Sequence, residues 1–274
     1  MREQQGLTGN GLKLIAIFTM LIDHIGFVIL ERGVPNLNIS TESMAFWNNM
    51  DTCFRALGRI AFIIFLFLLV EGFKHTSNVW KYALRMLIFA IVSEIPFNIA
   101  VSGKVINPEY QSVYVTLLLS LLMMIAFEAV SEHLTSKVAS VAVDIAIFVI
   151  VSAAAYFLKC DYTTLGIAMA ATMYFCRNRS DYGVWIMLAV IVLYTVLPWF
   201  LVISGLIPYS VFMITGGSSP IEALGVVAFF FIRKYNGERG SFSLKYVFYI
   251  FYPAHLLILG LITAFILNGG FSLY

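Results

Sequence analysis

Long apolar runs separated by short polar segments form the main pattern of the chain. An apolar run of about 20 residues is the length that crosses a bilayer as a helix. Such runs fall near residues 12–31, 56–73, 80–101, 112–130, 138–158, 162–176, 183–203, 206–232 and 245–267. The pattern predicts an all-α, polytopic membrane helix bundle of about nine spans, within a range of about eight to ten.

The number of spans is uncertain because of the eighth run. Its centre reads Gly216-Gly217-Ser218-Ser219-Pro220, a sequence that breaks a helix. We interpret residues 206–232 either as one kinked span or as two short half-helices that turn back.

Basic residues are distributed unevenly between the connecting segments. If the N-terminus is cytoplasmic, most Lys and Arg residues fall on the cytoplasmic side, whereas Arg32, Lys104 and Lys159 fall outside and Arg55 lies at the border. This bias is the positive-inside pattern and predicts an N-terminus inside.

The composition agrees with a membrane protein, because 61% of the 274 residues are hydrophobic and 12% are charged. The net charge of +2 comes from short loops, so we expect no nucleic-acid partner. The 3 cysteines fit neither a disulfide framework nor a metal site. The first run is too long for a signal peptide, and no soluble segment interrupts the chain, so we predict one integral domain over residues 1–274.

An Asp-His pair interrupts the first apolar run at its middle. If Lys13 lies near the membrane surface, a rise of about 1.5 Å per residue puts His24 roughly 16 Å deeper, near the midplane. Lys13 and His24 are close to three full turns apart and therefore share one helix face. Ionisable residues at this depth usually carry out chemistry or ion transfer; the alternative is that Asp23 and His24 only tie helices together.

The last apolar run carries a second histidine at a similar depth. His255 follows Lys245 by ten residues, and Pro253 frees backbone groups beside it. Two histidines near the midplane on different spans suggest one shared site, although a structural role for His255 is the alternative.

The second run contains an arginine that needs a partner. Arg59 lies a turn deeper than Arg55, whose side chain is close enough to the border to extend to the surface. A structural pair with Glu94 of the third run is one interpretation. In the other, Arg59 reaches Asp23 or an anionic group of a substrate.

A basic cluster lies near the predicted cytoplasmic end of the third run. Lys81, Arg85 and His75 form a cluster that suits phosphate groups, and the alternative partner is the inner-leaflet lipid.

Several short motifs follow one another in order along the chain. They are Leu7-Thr8-Gly9-Asn10-Gly11-Leu12-Lys13, Ile22-Asp23-His24-Ile25-Gly26, Gly58-Arg59, Glu71-Gly72-Phe73, Ser93-Glu94-Ile95-Pro96-Phe97, Tyr235-Asn236-Gly237 and Tyr252-Pro253-Ala254-His255. Together they resemble the TraX family, over about residues 6 to 265. That family contains the conjugal-transfer protein that acetylates the N-terminus of F-type pilin. The spacing of Lys13 and His24 also looks like the basic-x10-His motif of acyltransferase-3 and other transmembrane acyltransferases.

The resemblance implies an acetyltransferase in the bacterial cytoplasmic membrane that takes acetyl groups from cytoplasmic acetyl-CoA. The acceptor would be an amine or hydroxyl on a pilin-like or secreted peptide, or on an envelope sugar, and it could approach from either side. His24 would act as general base or as acetyl carrier, with Asp23 and His255 in the same site and Glu94 as a structural or substrate contact. The residues expected to bind acetyl-CoA are Lys13, Arg59, His75, Lys81, Arg85, Tyr235, Asn236 and Arg239.

Two other classes of protein fit parts of the pattern. Asp23 and His24 at the midplane are also typical of a proton-coupled transporter, but the sequence has no internal repeat. A structural assembly factor would leave both midplane histidines without a role.

Overall fold

The computed structural model describes residues 6–37, 39–177, 180–214, 219–241 and 245–268. Within these ranges the chain is built from helices, and its β-type pairing is limited to two isolated bridges. The predicted all-α membrane helix bundle is therefore confirmed in its fold class.

The helices follow one another with short connections. Two of them continue into π-helical segments, Ile25–Glu31 after α1 and Val192–Val196 between α7 and α8. Two 3-10 segments lie at Val34–Asn36 and Pro220–Val227. The α-helices are α1 Gly9–His24, α2 Thr41–His75, α3 Val79–Ser102, α4 Val113–His133, α5 Lys137–Phe157, α6 Thr163–Cys176, α7 Ser180–Ile191, α8 Leu197–Ile203, α9 Tyr209–Ile214, α10 Ala228–Ile232 and α11 Lys245–Asn268.

In the described part of the chain, 7 helices are long and apolar enough to cross a membrane. The predicted runs 162–176 and 206–232 correspond to shorter pieces: α6, α9, and the apolar segment Pro220–Ile232. The break predicted in the eighth run falls mostly on residues 215–218, which lie outside the described residues; on either side of them the chain forms α9 and the 3-10 segment Pro220–Val227. The count of nine crossings and the inside position of the N-terminus stay predictions.

The chain divides into two compact units. The first comprises Met1–Leu68, Val92–Asn107 and Ile221–Tyr274, and the second comprises Leu69–Ile91 and Pro108–Pro220. The prediction of a single integral domain is not decided by this division.

In the first unit, the start of α1 is fixed by the loop that precedes α11. Thr8 caps the helix by accepting a hydrogen bond from the Gly11 backbone N–H at 3.2 Å. The Gly9 and Asn10 N–H groups donate to the carbonyls of Glu238 and Arg239 at 2.7 and 3.0 Å. The loop therefore satisfies first-turn donors that would otherwise lack helix partners.

The π-helical segment after α1 packs against α11. The Thr263 hydroxyl donates to the Val28 carbonyl at 2.9 Å, and both residues are fully buried. At the end of this segment, Arg32 donates to the carbonyls of Ile99 and Ala100 at 3.1 and 2.5 Å, close to the C-terminus of α3. A guanidinium is favourable there because the C-terminus of a helix carries the negative end of the helix dipole.

Helices α3 and α11 approach closely at a glycine. A Cβ atom on Gly260 would lie 3.0 Å from the Ala100 backbone nitrogen. Small residues allow backbones of membrane helices to approach closely. Such packing matters in a bilayer because the hydrophobic effect does not drive helices together there. This contact holds α11 against α3, and the Thr263 bond holds α11 beside the segment that follows α1.

The second unit centres on α4, α5 and α6. The Tyr174 hydroxyl and the Arg177 guanidinium both donate to the Glu128 carboxylate, at 2.5 and 3.1 Å. The Arg177 guanidinium also lies 3.8 Å from the Tyr174 ring centroid. Helix α5 leaves Val138 and Ile150 more than half exposed, as expected of a helix that faces lipid.

Candidate active site at the end of the first helix

Two histidine side chains meet inside the first unit. Nδ1 of His24 lies 2.6 Å from Nε2 of His255, and the two rings are within 14° of parallel. His24 is the last residue of α1, and His255 lies two residues after Pro253 in α11. The structure therefore brings the two predicted histidines into contact, and their use as one shared site stays a prediction.

The other nitrogen of His255 is bound to the backbone of its own helix. Nδ1 of His255 lies 2.6 Å from the Phe251 carbonyl oxygen, one helical turn earlier. The Phe251 ring stacks on His255 with centroids 4.7 Å apart, and the buried Tyr252 ring meets both histidines edge-on. His255 is 5% exposed, whereas His24 keeps an intermediate exposure.

The carboxylate of Asp23 turns to a different helix from the ring of His24. Its Oδ2 accepts from Arg55 Nη1 at 2.7 Å, and its Oδ1 accepts from Arg59 Nη2 at 2.5 Å. A Cβ atom on Gly58 would overlap the Asp23 side chain, so α2 reaches this position because residue 58 has no side chain. Asp23 is therefore bound to two guanidinium groups of α2.

Arg59 joins a second carboxylate to the first. Its Nη1 donates to Glu222 Oε1 at 2.5 Å, and its Nε donates to the Arg55 carbonyl at 3.0 Å. The side chains of Asp23, Arg59 and Glu222 are 11, 6 and 16% exposed, which places two acids and a base in a nearly dry setting. Together with Arg55 they form a four-charge network that is electrically neutral.

The network bears on the question of which group Arg59 binds. Of the two carboxylates considered for Arg59, Asp23 is within hydrogen-bond distance of it, while the pairing with Glu94, a half-buried residue of α3, stays a prediction. Arg55, for which the sequence allowed a position at the surface, keeps a side chain that is 25% exposed while its guanidinium binds Asp23 and lies 4.9 Å from the Phe27 ring centroid. The catalytic role predicted for Asp23 is not tested by these contacts.

Neither Glu222 nor the contact between Arg55 and Asp23 was identified from the sequence. Glu222 lies in the 3-10 segment after the Gly-rich break, 163 positions from Arg59. Glu222 is acidic in a run otherwise apolar, and this is the signal that would have singled it out.

The other predicted donor-site residues of the first unit lie near the start of α1. The charges of Lys13 and Arg239 are close enough to repel one another. Backbone pairing between Leu7 and the 234–236 turn holds the loop there, since Leu7 N–H donates to Lys234 and Asn236 N–H donates to Leu7, at 2.7 and 2.9 Å. Tyr235 packs edge-on against Phe67 with centroids 5.4 Å apart.

The remaining predicted residues belong to the second unit. His75 lies 3.4 Å from the Glu71 carboxylate, and the Arg85 guanidinium lies 5.5 Å from the Tyr82 ring centroid. Lys81 is exposed near the start of α3, where its backbone N–H is capped by Asn78. Their assignment to an acetyl-CoA site stays a prediction.

Comparison with known proteins gives one family. The chain matches the model described as TraX protein over residues 8–263. It is also 26% identical over 254 residues to the probable fimbrial assembly protein FimC, serogroup H1, of Dichelobacter nodosus, which covers 90% of this chain and 92% of that protein. No solved structure matches.

Proposed function

The chain belongs to the TraX protein family, and on this premise we propose that it is an integral membrane acetyltransferase that uses acetyl-CoA. The observation that carries the proposal is the contact between His24 and His255 inside a helix bundle. Ionisable side chains are costly to keep there and generally serve chemistry or transport. An imidazole can serve acyl transfer as general base or as transient acyl carrier.

The donor half of the reaction would use the basic start of α1. Lys13 and Arg239 are neighbouring cations whose repulsion a phosphate group would relieve. The first-turn N–H groups of Gly9 and Asn10 already bind loop carbonyls, so side chains and not backbone amides would hold the phosphates. Acetyl-CoA would then extend its thioester along the Lys13 face of α1 towards His24.

The transfer step balances with His24 as the base. The acceptor amine or hydroxyl attacks the thioester carbonyl and loses its proton to His24. The C–S bond breaks, and the coenzyme A thiolate then takes that proton, which gives acetylated acceptor and free coenzyme A. If His24 attacks first, the acetyl group passes through the imidazole and the net reaction is the same.

Arg55 is the candidate for stabilising the oxyanion formed in this step. One of its N–H groups holds Asp23, and a guanidinium has five N–H groups in all. Its charge is close enough to act on His24. Asp23 would then serve by holding Arg55 and Arg59 in place.

The acceptor class is supported by the relative whose printed name describes fimbrial assembly. We favour the N-terminal amine of a pilin-like or other secreted peptide, with an envelope sugar as the second possibility. The membrane would be the bacterial cytoplasmic membrane, because acetyl-CoA is made in the cytoplasm.

A proton-coupled transporter is the competing function, because buried Asp and His residues also build relays. The two guanidinium groups on Asp23 argue against it, since both carboxylate oxygens are already engaged by side chains of α2. Proteoliposomes that contain the purified protein should therefore show no proton flux, and flux without acetyl-CoA would favour the transporter.

Calorimetric titration of acetyl-CoA into the detergent-purified protein tests the donor half. We expect micromolar binding that weakens at least tenfold in Lys13→Ala and in Arg239→Ala. The matched control is Lys104→Ala, an exposed lysine on the loop after α3. A folded protein that does not bind acetyl-CoA would refute the proposal.

A further inference from the structure

The hydrogen-bond chain through the two histidines has a defined direction. A backbone carbonyl can only accept, so the Phe251 oxygen requires a proton on Nδ1 of His255. In a neutral His255 the other nitrogen, Nε2, then has a lone pair and accepts. Because Nδ1 of His24 lies 2.6 Å from that lone pair, it must carry a proton.

We propose that His24 reacts through Nε2 and that His255 is a positioning residue that holds His24 in its Nδ1–H tautomer. The chain of donors ends at His24 Nε2, which keeps its lone pair. His255 is buried, whereas His24 keeps an intermediate exposure, so the free nitrogen belongs to the less buried ring of the pair. The reactive role of Nε2 rests on the proposed acetyl transfer, but the tautomer does not.

Two further contacts keep the rings in register. Thr263, two turns after His255, bonds to Val28, four residues after His24. The Phe251 ring stacks on His255 from the same helix that supplies the carbonyl. These contacts fix α11 against the end of α1, so the Nδ1–Nε2 contact does not depend on the histidines alone.

The arrangement has a consequence for the proton that the reaction releases. When His24 Nε2 accepts the proton of the acceptor, Nδ1 of His24 still donates to His255. The positive charge then spreads over a hydrogen-bonded pair, and the proton leaves again from Nε2 to the thiolate. His255 contacts His24 and stabilises its reactive form without touching the acetyl group.

Selective 15N labelling of histidine tests the tautomer directly, because the chain contains only 4 histidines. NMR of the full-length protein in micelles should show both His24 and His255 as Nδ1–H tautomers, with a nitrogen–nitrogen coupling across their hydrogen bond. An Nε2–H tautomer at His24 in the wild-type protein would overturn the proposal.

Substitution of His255 tests its effect on His24. His255→Leu removes the acceptor, so His24 should become a mixture of tautomers, and acetyl transfer should fall about 100-fold or more while the KM for acetyl-CoA is unchanged. His255→Gln supplies a carbonyl oxygen as a neutral acceptor and should restore the Nδ1–H tautomer and part of the rate. An unchanged His24 tautomer in a folded His255→Leu protein would overturn the positioning role.

His133 provides the matched control. Its Nδ1 also bonds the carbonyl one turn earlier, that of Ala129 at 2.9 Å, but it lies exposed at the end of α4. His133→Leu should change neither the His24 tautomer nor the rate. A wild-type protein that shows the expected tautomers but transfers no acetyl group would refute the proposed function and leave the tautomer assignment intact.

Discussion

Removing Arg59, the cation that both carboxylates of the four-charge network share, should lower the free energy of unfolding more than removing Arg59 and the charge of Glu222 together. In Arg59→Met, Asp23 keeps Arg55, but Glu222 loses its guanidinium partner. Breaking a buried ion pair by removing one partner typically costs about 3–5 kcal/mol, because a charge is left uncompensated. The side-chain exposures of 6, 11 and 16% place Arg59, Asp23 and Glu222 in that class.

A second substitution should then recover stability. Adding Glu222→Gln to Arg59→Met neutralises the stranded carboxylate, and the remaining Asp23–Arg55 pair carries no net charge. We expect a recovery of about 1–3 kcal/mol, the cost of an unsatisfied buried polar group. Reversible unfolding in mixed micelles measures the free energy for the wild type, both single variants and the double variant.

Arg32 supplies the control for this cycle. It bonds two backbone carbonyls and no carboxylate, so Arg32→Met should destabilise the protein without being rescued by Glu222→Gln. Equal rescue of both arginine variants would refute the reasoning. So would a double variant that is less stable than Arg59→Met, since the two losses would then simply add.

Three smaller predictions concern packing, and each is measured as a change in unfolding free energy in the same micelles. Gly58→Ala should destabilise by about 1–3 kcal/mol or more, because its Cβ would overlap Asp23, whereas Gly237→Ala gives the loss from a positive φ alone; equal losses would contradict the clash. Thr263→Val should cost about 1 kcal/mol by removing the bond to Val28, and no loss would show that this bond does not hold α11. Ser93→Ala should be neutral or slightly stabilising, since the Ser93 hydroxyl is fully buried with no hydrogen-bond partner in the described part of the chain, and a clear loss would reveal one.

Depth along a helix was enough to predict the meeting of the two histidines. Each lies about ten residues from a basic residue at the end of its apolar run, and a fixed rise per residue converts that spacing into depth. Because polar groups are costly in hydrocarbon, two at one depth gain by facing one another. The same reasoning brought Arg59 towards Asp23.

Contacts that depend on local backbone geometry could not be predicted from the sequence. The π-helical turn after His24 and the Thr263–Val28 bond follow from packing between distant segments, and the apolar periodicity of the sequence predicts neither of them. Glu222 was not identified because it lies after the Gly-rich centre of the run 206–232, where the pattern allows either one kinked span or two half-helices and so does not fix its depth. The Arg55–Asp23 pair does not follow from the sequence, because a position at the boundary of an apolar run also suits a side chain that extends to the surface.

The central claim is that His24 carries out acetyl transfer from acetyl-CoA. The direct measurement supplies radiolabelled acetyl-CoA to membrane vesicles that contain the protein, and follows label into peptides and glycans. We predict that wild-type vesicles and His133→Ala vesicles label an acceptor, and that folded His24→Ala protein transfers at least about 100-fold less. Undiminished labelling by His24→Ala would contradict the account.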